Sequence, residues 1–364
     1  MTDTDRAAQH WLEVRRVLAT SRPALTAAVV GEYAGVATVA DTRLLTDERW
    51  LPETPLPLAD VALRFEPDTP FTGIRGTEAV SAPVRPIRPD GSRYETYAAA
   101  MRELAAPTVF EDRPTYRLLA TATSGSGPVL TFGRGRYFDG IDVGEACAHE
   151  FAAGVAGLPL RAAVGDPCDP RRRPTNVAIS TLTIRLDRHT DRATCLLHWR
   201  DPRKVGHAGG MYQVLPVGIF QASGDEPCHE RADFDLWRCV LRELAEEVLG
   251  EPEIGGGDTP VDYDAWPLAR RLTDTDGVRA HYLGMGVDPL TFATDLLTVL
   301  VVDAPLFDEL FGGAVGVNAE GRVLTAVAFD EATVDRFVHR EPTQAAGAAA
   351  LSLAWRHRAS LLRR

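Results

Sequence analysis

An apolar stripe with helical spacing lies between residues 233 and 249. Its members recur three and four positions apart, at Phe234, Trp237, Val240, Leu241, Leu244 and Val248. This spacing is typical of a helix that buries one face. Asp233 is expected to cap the start of the helix, and Gly250 and Pro252 are expected to end it. The pattern therefore predicts one amphipathic helix over the whole segment.

Alternating and continuous apolar runs predict strands on both sides of this helix. The predicted strands are residues 60 to 65, 115 to 122, 129 to 132, 177 to 186, 193 to 199, 279 to 287, 296 to 302 and 323 to 329. The other predicted helices are residues 7 to 20, 94 to 105, 143 to 153, 263 to 272, 306 to 311, 330 to 338 and 344 to 362. This order of elements predicts an α/β fold with a mixed sheet between helices.

A turn-rich, charged segment indicates where the chain divides into two domains. The 364 residues are long for one domain and suit two. Residues 165 to 174 contain three prolines and three consecutive arginines at 171 to 173, and they form the predicted boundary. We therefore expect an N-terminal α+β domain of unassigned role at residues 1–165 and a second domain at residues 175–364. The three arginines either face solvent or hold a phosphate or an acidic partner.

Three glutamates form an acidic cluster on the predicted helix. Glu243, Glu246 and Glu247 lie three and four positions apart, so their carboxylates project from one face. Like charges at this spacing cost about a few tenths of a kcal/mol per pair in an exposed helix. Arg242 can offset this repulsion by forking onto a carboxylate, and a hard cation such as Mg²⁺ can offset it by binding carboxylate oxygens. A solvated surface helix is the alternative to a cation site.

A glycine turn upstream of the helix extends this pattern. Leu215, Pro216 and Gly218 interrupt a short β-type run. The central residues of the helix then read Arg242, Glu243, Leu244, Ala245, Glu246 and Glu247. A strand, a glycine turn and a helix with these six residues resemble the signature of the Nudix superfamily. The resemblance covers about residues 175 to 350, and it implies a Nudix-like α/β/α sandwich with a mixed sheet beside the N-terminal α+β domain.

Two positions depart from the signature of that superfamily. Counted from the leading glycine, the expected glutamate falls on Gly224, and the expected glycine after the helix falls on Leu249. Asp225 and Glu226 are the acids nearest to the first of these positions. The spacer before the helix is longer than in the signature, which predicts an inserted loop around residues 227 to 231.

The resemblance implies a site for a divalent cation and a diphosphate. Glu243, Glu246 and Glu247 would be the ligands of Mg²⁺ or Mn²⁺. Together with Arg242, the same glutamates would form the catalytic set. In the superfamily such a cation bridges the diphosphate of the substrate, so the implied partner is a small phosphorylated molecule.

Two functions are compatible with this sequence. The first is a magnesium-dependent Nudix-like hydrolase of a nucleoside diphosphate-linked or related phosphoanhydride small molecule. Its general base would be Glu246 or Glu247, or one of the spacer acids Glu226 and Glu230. The second is a catalytically inactive Nudix-like module that binds a ligand as a sensor or regulator. The two departures from the signature favour this second function.

A basic loop precedes the glycine turn and is the candidate substrate-binding segment. The residues expected to bind substrate are Arg200, Arg203, Lys204, His207 and Gly218. In the Nudix-like interpretation the loop lies beside the substrate and contacts a polyanion. An exposed basic loop without a ligand is the alternative.

A glycine- and arginine-containing segment at residues 133 to 145 is a second candidate for ligand binding. Glycines allow a backbone to approach an anion closely, and Arg134 and Arg136 can bind that anion. The alternative is a tight turn whose arginines face solvent. The sequence leaves both interpretations open.

Composition limits the partners and the location. Because the net charge is −12 and the pI is about 5.3, nucleic acid is not an expected partner. The N-terminus has no apolar signal core, and no run approaches the roughly 18 apolar residues that span a membrane. A cytoplasmic protein is therefore expected. The abundance of Ala, Arg, Asp and Gly with little Lys indicates a high-GC bacterial source, and the resemblance makes a homodimer the expected assembly. The five cysteines lack metal-site spacing and are expected to be mostly buried thiols.

Overall fold

A computed structural model describes residues 3–107, 109–125, 127–201, 209–255, 257–312, 316 and 321–363. The helices are α1 (Asp3–Val29), α2 (Tyr97–Leu104), α3 (Tyr137–Gly140), α4 (Ala146–Ala152), α5 (Pro159–Val164), α6 (Pro227–Ala232), α7 (Leu236–Glu247), α8 (Pro267–Thr273), α9 (Ala304–Phe311), α10 (Glu331–Asp335), α11 (Ala345–Arg356) and α12 (Arg358–Leu361). The strands are β1 (Leu56–Pro57), β2 (Ala62–Phe65), β3 (Pro114–Ser124), β4 (Gly127–Arg136), β5 (Val177–Asp187), β6 (Arg192–Arg200), β7 (Tyr212–Val214), β8 (Val217–Ile219), β9 (Val278–Val287), β10 (Thr294–Asp303) and β11 (Gly321–Ala328).

The main sheet contains eight strands within the described part of the chain. Six of them follow the order β1-β9-β10-β5-β6-β11, while β7 pairs with β6 and β8 pairs with β5. Strands β5 and β10 run parallel, and the other pairs in this sheet are antiparallel. The predicted α/β fold with a mixed sheet is therefore confirmed.

Helices cover both faces of the main sheet. Leu296 of β10 lies in the same apolar core as Leu241 of α7. The next residue, Leu297, lies in a second apolar core with Leu351 of α11. Because successive side chains of a strand point to opposite faces, α7 and α11 pack on opposite sides of β10. The result is a three-layer α/β/α sandwich.

The N-terminal part of the chain builds a second sheet and also joins the main one. The second sheet has the order β2-β4-β3. At the edge of the main sheet, β1 pairs with β9, and Leu45 pairs with Val287 of the same strand. Trp11 of α1 and Tyr116 of β3 lie in the apolar core that contains α7. The two predicted domains thus share a core, and the proposed boundary between them stays a prediction.

The helix predicted over residues 233 to 249 is confirmed as α7, but it begins later than predicted. Its cap is Asp235, whose side chain accepts a hydrogen bond from the Arg238 N–H. The prediction that Asp233 caps the helix is wrong. The Asp233 N–H instead donates to the His229 carbonyl at the end of α6, and its side chain is buried.

The short elements were the least predictable from sequence. The inserted loop predicted at residues 227 to 231 is wrong, because that segment forms α6, with Pro227 in its first turn. The helix predicted from residue 263 begins only at Pro267. Each of the eight predicted strands coincides with one of β2 to β6 or β9 to β11. The short β-type run predicted around Leu215, Pro216 and Gly218 corresponds to β7 and β8, and β1 was not predicted.

No helix in the described ranges is both long enough and apolar enough to cross a membrane. The longest of these helices, α1, has 27 residues, but polar and charged side chains are frequent along it.

Candidate active site

Glu243 lies directly over the backbone of Gly218. A Cβ atom built on Gly218 would lie 1.9 Å from Glu243 Cδ and 2.0 Å from its Oε1. Real Cβ atoms essentially never approach another heavy atom within 3.0 Å. The Glu243 carboxylate therefore occupies space that only a glycine at position 218 leaves open.

Glu247 is bound to the same short strand. Its Oε2 accepts a hydrogen bond of 2.7 Å from the Val217 N–H of β8. Since residues four apart share one face of a helix, Glu243 and Glu247 both meet β8, at neighbouring residues. Strand β8 in turn pairs with β5 in the main sheet. The acidic face of α7 is therefore turned toward the sheet and is not a fully solvated surface.

Burial and mutual repulsion raise the pKa values of two of these acids. The pKa of Glu243 is raised well above its usual range, first by burial and then by the charges of Glu247 and Glu246. The pKa of Glu246 is raised to about 6, first by burial and then by the charge of Glu253. A nearby positive charge would favour the ionised form of each group. The cluster would therefore gain stability from a bound cation.

A cavity of about 380 Å³, hereafter the glutamate cavity, adjoins these acids. Its walls include Gly218, Glu243, Glu246, Arg113 and Glu253. Arg113 forms an ion pair with Glu253, so its charge is already partly neutralised. Among the described residues, no ion pair involves Glu243 or Glu246. A cavity of this size suits a small polar ligand.

Arg242 is buried and held by three groups. One of its Nη atoms lies 3.2 Å from Asp233 Oδ1 and also contacts the Tyr263 hydroxyl, and the other donates to the Gln221 carbonyl at 2.7 Å. Burial lowers the pKa of Arg242, but Cys239, Tyr263 and Asp233 outweigh burial and raise it. These contacts fix the position of α7 relative to the segment that follows β8. The geometry favours Arg242 as a positioning residue for the predicted catalytic set.

Asp233 and Tyr263 belong to this network, although the sequence did not single them out as site residues. Asp233 accepts hydrogen bonds from the Tyr263 hydroxyl at 2.6 Å and from the Ser223 hydroxyl at 2.6 Å. Residues that far apart in the chain carry no shared local pattern, so periodicity could not have found them. The one available signal was an acid just before the helix, and that signal was interpreted as a cap.

The acidic cluster can be compared with what a divalent cation requires. No group of three or more Asp, Glu, His or Cys side chains is arranged to hold a metal within the described ranges. Mg²⁺ usually uses only one or two carboxylates, together with water and substrate phosphates. Glu243 and Glu246 match that smaller set because both line one cavity, whereas one oxygen of Glu247 is bonded to β8. The residues fit a cation at two carboxylates, and the site with all three glutamates stays a prediction.

The segment at residues 133 to 145 forms the end of a strand and the start of a helix, where the second interpretation expected a tight turn. Its first part continues β4 to Arg136, and α3 follows. Arg134 forms two hydrogen bonds with Glu230, of 2.7 and 2.9 Å, and Arg136 donates to Asp112 at 2.6 Å. Both arginine side chains are still more than half exposed, so they face solvent as the second interpretation expects, and an anion site here stays a prediction. Glu230 is engaged in the pair with Arg134, and Glu226 is exposed at the start of α6. Neither of these spacer acids lies in the glutamate cavity, as Glu246 does.

The predicted substrate-binding residues are only partly covered by the structure. Arg200 ends β6 and lines a second cavity, of about 320 Å³, together with Gly218. Arg203, Lys204 and His207 lie outside the described residues. Since Gly218 and Tyr137 line both cavities, the second cavity adjoins the glutamate cavity.

The three consecutive arginines at the predicted domain boundary have intramolecular partners. Arg171 forms an ion pair with Asp169 at 2.9 Å. Arg172 donates to the Val164 and Ala163 carbonyls. Arg173 is buried and donates to the hydroxyls of two threonines. These contacts hold the turn in place. Arg171 and Arg172 remain exposed, as the solvated interpretation expects, whereas the burial of Arg173 contradicts that interpretation.

Comparison with known proteins adds no relative. No protein-family model matches the chain, and no curated protein matches it. The relation to the Nudix superfamily therefore stays a prediction that rests on Gly218 and the six residues from Arg242 to Glu247.

Proposed function

We propose that the chain hydrolyses a phosphoanhydride bond in a small phosphorylated molecule, such as a nucleoside diphosphate-linked compound, with Mg²⁺ or Mn²⁺ as cofactor. The observation that carries this proposal is the placement of Glu243 and Glu246 on one cavity, with raised pKa values and no ion-pair partner among the described residues. When bound, a divalent cation would screen the phosphate charges and lower the pKa of a bound water.

Glu246 is the proposed general base. A water oxygen forms a bond to phosphorus, Glu246 accepts the proton of that water, and the phosphoanhydride P–O bond breaks to release a phosphate group. Without a bound cation the pKa of Glu246 is about 6, so its carboxylate is ionised near neutral pH and can accept a proton. Glu243, fixed over Gly218, supplies the second carboxylate of the cation site.

Glu247 and Arg242 have supporting roles in this proposal. Glu247 holds β8 through the Val217 N–H, so it fixes the strand against which Glu243 rests. Arg242 ties α7 to the Gln221 carbonyl, three residues after Gly218. Both act through other residues, so we regard them as positioning residues.

A ligand-binding module without catalysis is the second candidate. It is favoured by the hydrogen bond that occupies Glu247, because the superfamily signature uses this glutamate for the cation. Calorimetry with a panel of nucleoside diphosphates and inorganic pyrophosphate, with and without Mg²⁺, distinguishes the two. Binding without release of phosphate would support the module, and turnover would exclude it.

The proposed setting is the cytoplasm, with a homodimer as the expected assembly. All five cysteines are free thiols; Cys147, Cys168, Cys195 and Cys239 are buried, and Cys228 is partly exposed. This confirms the prediction that most of them are buried thiols, and it suits a reducing compartment. Light scattering of the purified chain tests the assembly.

Glu246→Gln is expected to reduce magnesium-dependent phosphate release by about 100-fold or more, because the amide cannot accept the proton of the attacking water. The measurement is phosphate release from the substrate panel at saturating Mg²⁺. Glu251→Gln is the matched control, since Glu251 is exposed and close in sequence. Unchanged turnover in the Glu246 variant would show that this residue is not the base.

The pH dependence of turnover reports on the same carboxyl. Because Glu246 must be ionised to accept a proton and its pKa is about 6, kcat/KM should rise as the pH increases through about 6. A cation favours the ionised form, so higher Mg²⁺ should move this rise to lower pH. The measurement is kcat/KM between pH 5 and 8 at two Mg²⁺ concentrations. If the pH at which kcat/KM rises is the same at both Mg²⁺ concentrations, the titrating group is not part of the cation site.

A further inference from the structure

The second cavity extends the glutamate cavity along the end of the main sheet. Tyr137, Gly218 and Ile219 line both cavities. The second cavity lies where the parallel strands β5 and β10 begin, because Ala178 and Asp295 are among its wall residues. A ligand whose phosphate lies beside Glu243 can therefore extend past Gly218 into this second space.

Asp295 is a buried acid in the wall of this cavity. It is only 7% exposed, and its Oδ1 accepts a hydrogen bond of 2.7 Å from the Ser180 hydroxyl. Among the described residues, the Asp295 side chain forms no other hydrogen bond and no ion pair. Burial raises the pKa of Asp295 to about 7, so the carboxylate would gain from a ligand donor that replaces its lost hydration.

A pair of glutamines adds one free donor and one free acceptor. Gln344 Nε2 donates to Gln213 Oε1 at 2.7 Å, and both residues line the cavity. Gln213 is only 6% exposed. Because each amide has a donor side and an acceptor side, the Gln213 NH₂ group and the Gln344 carbonyl have no other partner among the described residues and can meet a ligand.

The remaining walls are suited to a flat ring. Apolar parts are contributed by Ile141, Val217, Ile219 and Phe292. Mostly apolar walls with a few fixed polar groups are typical of sites that orient a small organic ligand. Other polar wall residues include Glu145, Arg173 and Asn176, which already bond to other side chains. Asp295 and Gln344 add two acceptors, and Gln213 adds one donor.

We infer that the second cavity binds a nitrogen heterocycle whose edge offers two N–H donors and one carbonyl acceptor, as guanine does. The donors would meet Asp295 and Gln344, and the carbonyl would meet Gln213. Adenine matches less well, because its edge has one amino donor and a ring nitrogen as acceptor. This inference rests on the proposed function only for the phosphate end of the ligand, which would lie in the glutamate cavity.

Calorimetry with nucleosides tests the heterocycle without any phosphate. The wild-type chain should bind guanosine about 5-fold more tightly than inosine, which lacks the amino group, and at least about 30-fold more tightly than adenosine. Asp295→Asn should weaken guanosine binding by about 10- to 100-fold, because an amide NH₂ would face the ligand donor. Asp41→Asn, at an exposed aspartate, is the matched control.

The outcomes separate this inference from the proposed hydrolysis. Equal binding of guanosine and adenosine, no binding of either, or full guanosine binding by Asp295→Asn would overturn the inference. Glu246→Gln should keep guanosine binding while losing phosphate release. Should Asp295→Asn not fold, Gln213→Glu and the nucleoside series on the wild-type chain decide the question. Selective guanosine binding by a chain that cleaves no phosphoanhydride would contradict the proposed function alone.

Discussion

Gly218→Ala is expected to abolish magnesium-dependent hydrolysis while leaving the fold intact. The added methyl group would need the space that Glu243 Cδ and Oε1 now occupy, at 1.9 and 2.0 Å. The clashing atoms are the far end of a flexible side chain, so the carboxylate can move away. We expect the free energy of unfolding to change by about 1 kcal/mol or less, well below the usual cost of overpacking a rigid core.

Activity should respond much more strongly than stability to this substitution. A misplacement of about 1 Å in a catalytic group can reduce the rate by roughly 100-fold, and the Glu243 carboxylate must move by more than that to clear a methyl group. The measurements are phosphate release with Mg²⁺ and urea unfolding of the same preparation. Gly35→Ala is the matched control, because a Cβ at Gly35 meets no atom within 4 Å. Full activity in the Gly218 variant would show that the position of Glu243 does not matter for hydrolysis, and Glu243 would then not be a ligand of the cation.

Asp233→Ala is expected to destabilise the chain by about 3–5 kcal/mol, the usual cost of leaving one partner of a buried ion pair uncompensated. The change would leave the buried Arg242 guanidinium without its carboxylate partner and would remove the acceptor of the Tyr263 hydroxyl. Urea unfolding at pH 7 measures the effect. Asp233→Asn keeps the shape without the charge and should give an intermediate loss.

The pH dependence of this stability has a defined sign. Burial raises the pKa of Asp233, but Arg242, Ser223 and Tyr263 outweigh burial and lower it below the usual value of 3.8. Stabilisation by the carboxylate is therefore present above about pH 4 and is lost as the pH falls through the lowered pKa. The difference between the wild type and Asp233→Ala should accordingly shrink in strong acid.

An exposed ion pair provides the comparison for this prediction. Arg271 and Glu309 are about half exposed and 2.6 Å apart, so Glu309→Ala should cost less than about 1 kcal/mol. An equal loss in the Asp233 and Glu309 variants would mean that burial does not strengthen the Asp233 pair.

The long elements of this fold were predictable because their periodicity is local. The apolar stripe of α7 and the continuous apolar run of β10 depend on neighbours in sequence, and both were confirmed. Strand β8 was predicted only as part of a short β-type run, since three residues give too little alternation to define a strand's bounds. Its position depends on pairing with β5, a contact between distant parts of the chain.

The candidate site was predictable only as far as the helix itself. The spacing of Glu243, Glu246 and Glu247 predicts that they share one face of the helix, but it does not predict which residues pack against that face. The contact with Gly218 and the bond to Val217 arise from tertiary packing. The cap was misassigned because two acids precede the helix, and the local pattern does not show that the first of them bonds to Arg242 and to the distant Tyr263.

The edge strand β1 limits how two copies of this chain can associate through their sheets. Leu56 and Pro57 cover part of β9, and Pro57 has no N–H to offer to another strand. Proline at a sheet margin discourages strand-to-strand adhesion between molecules, which is a route to aggregation. If copies of this protein associate, we therefore expect contacts between side chains, and not an additional strand paired with β1.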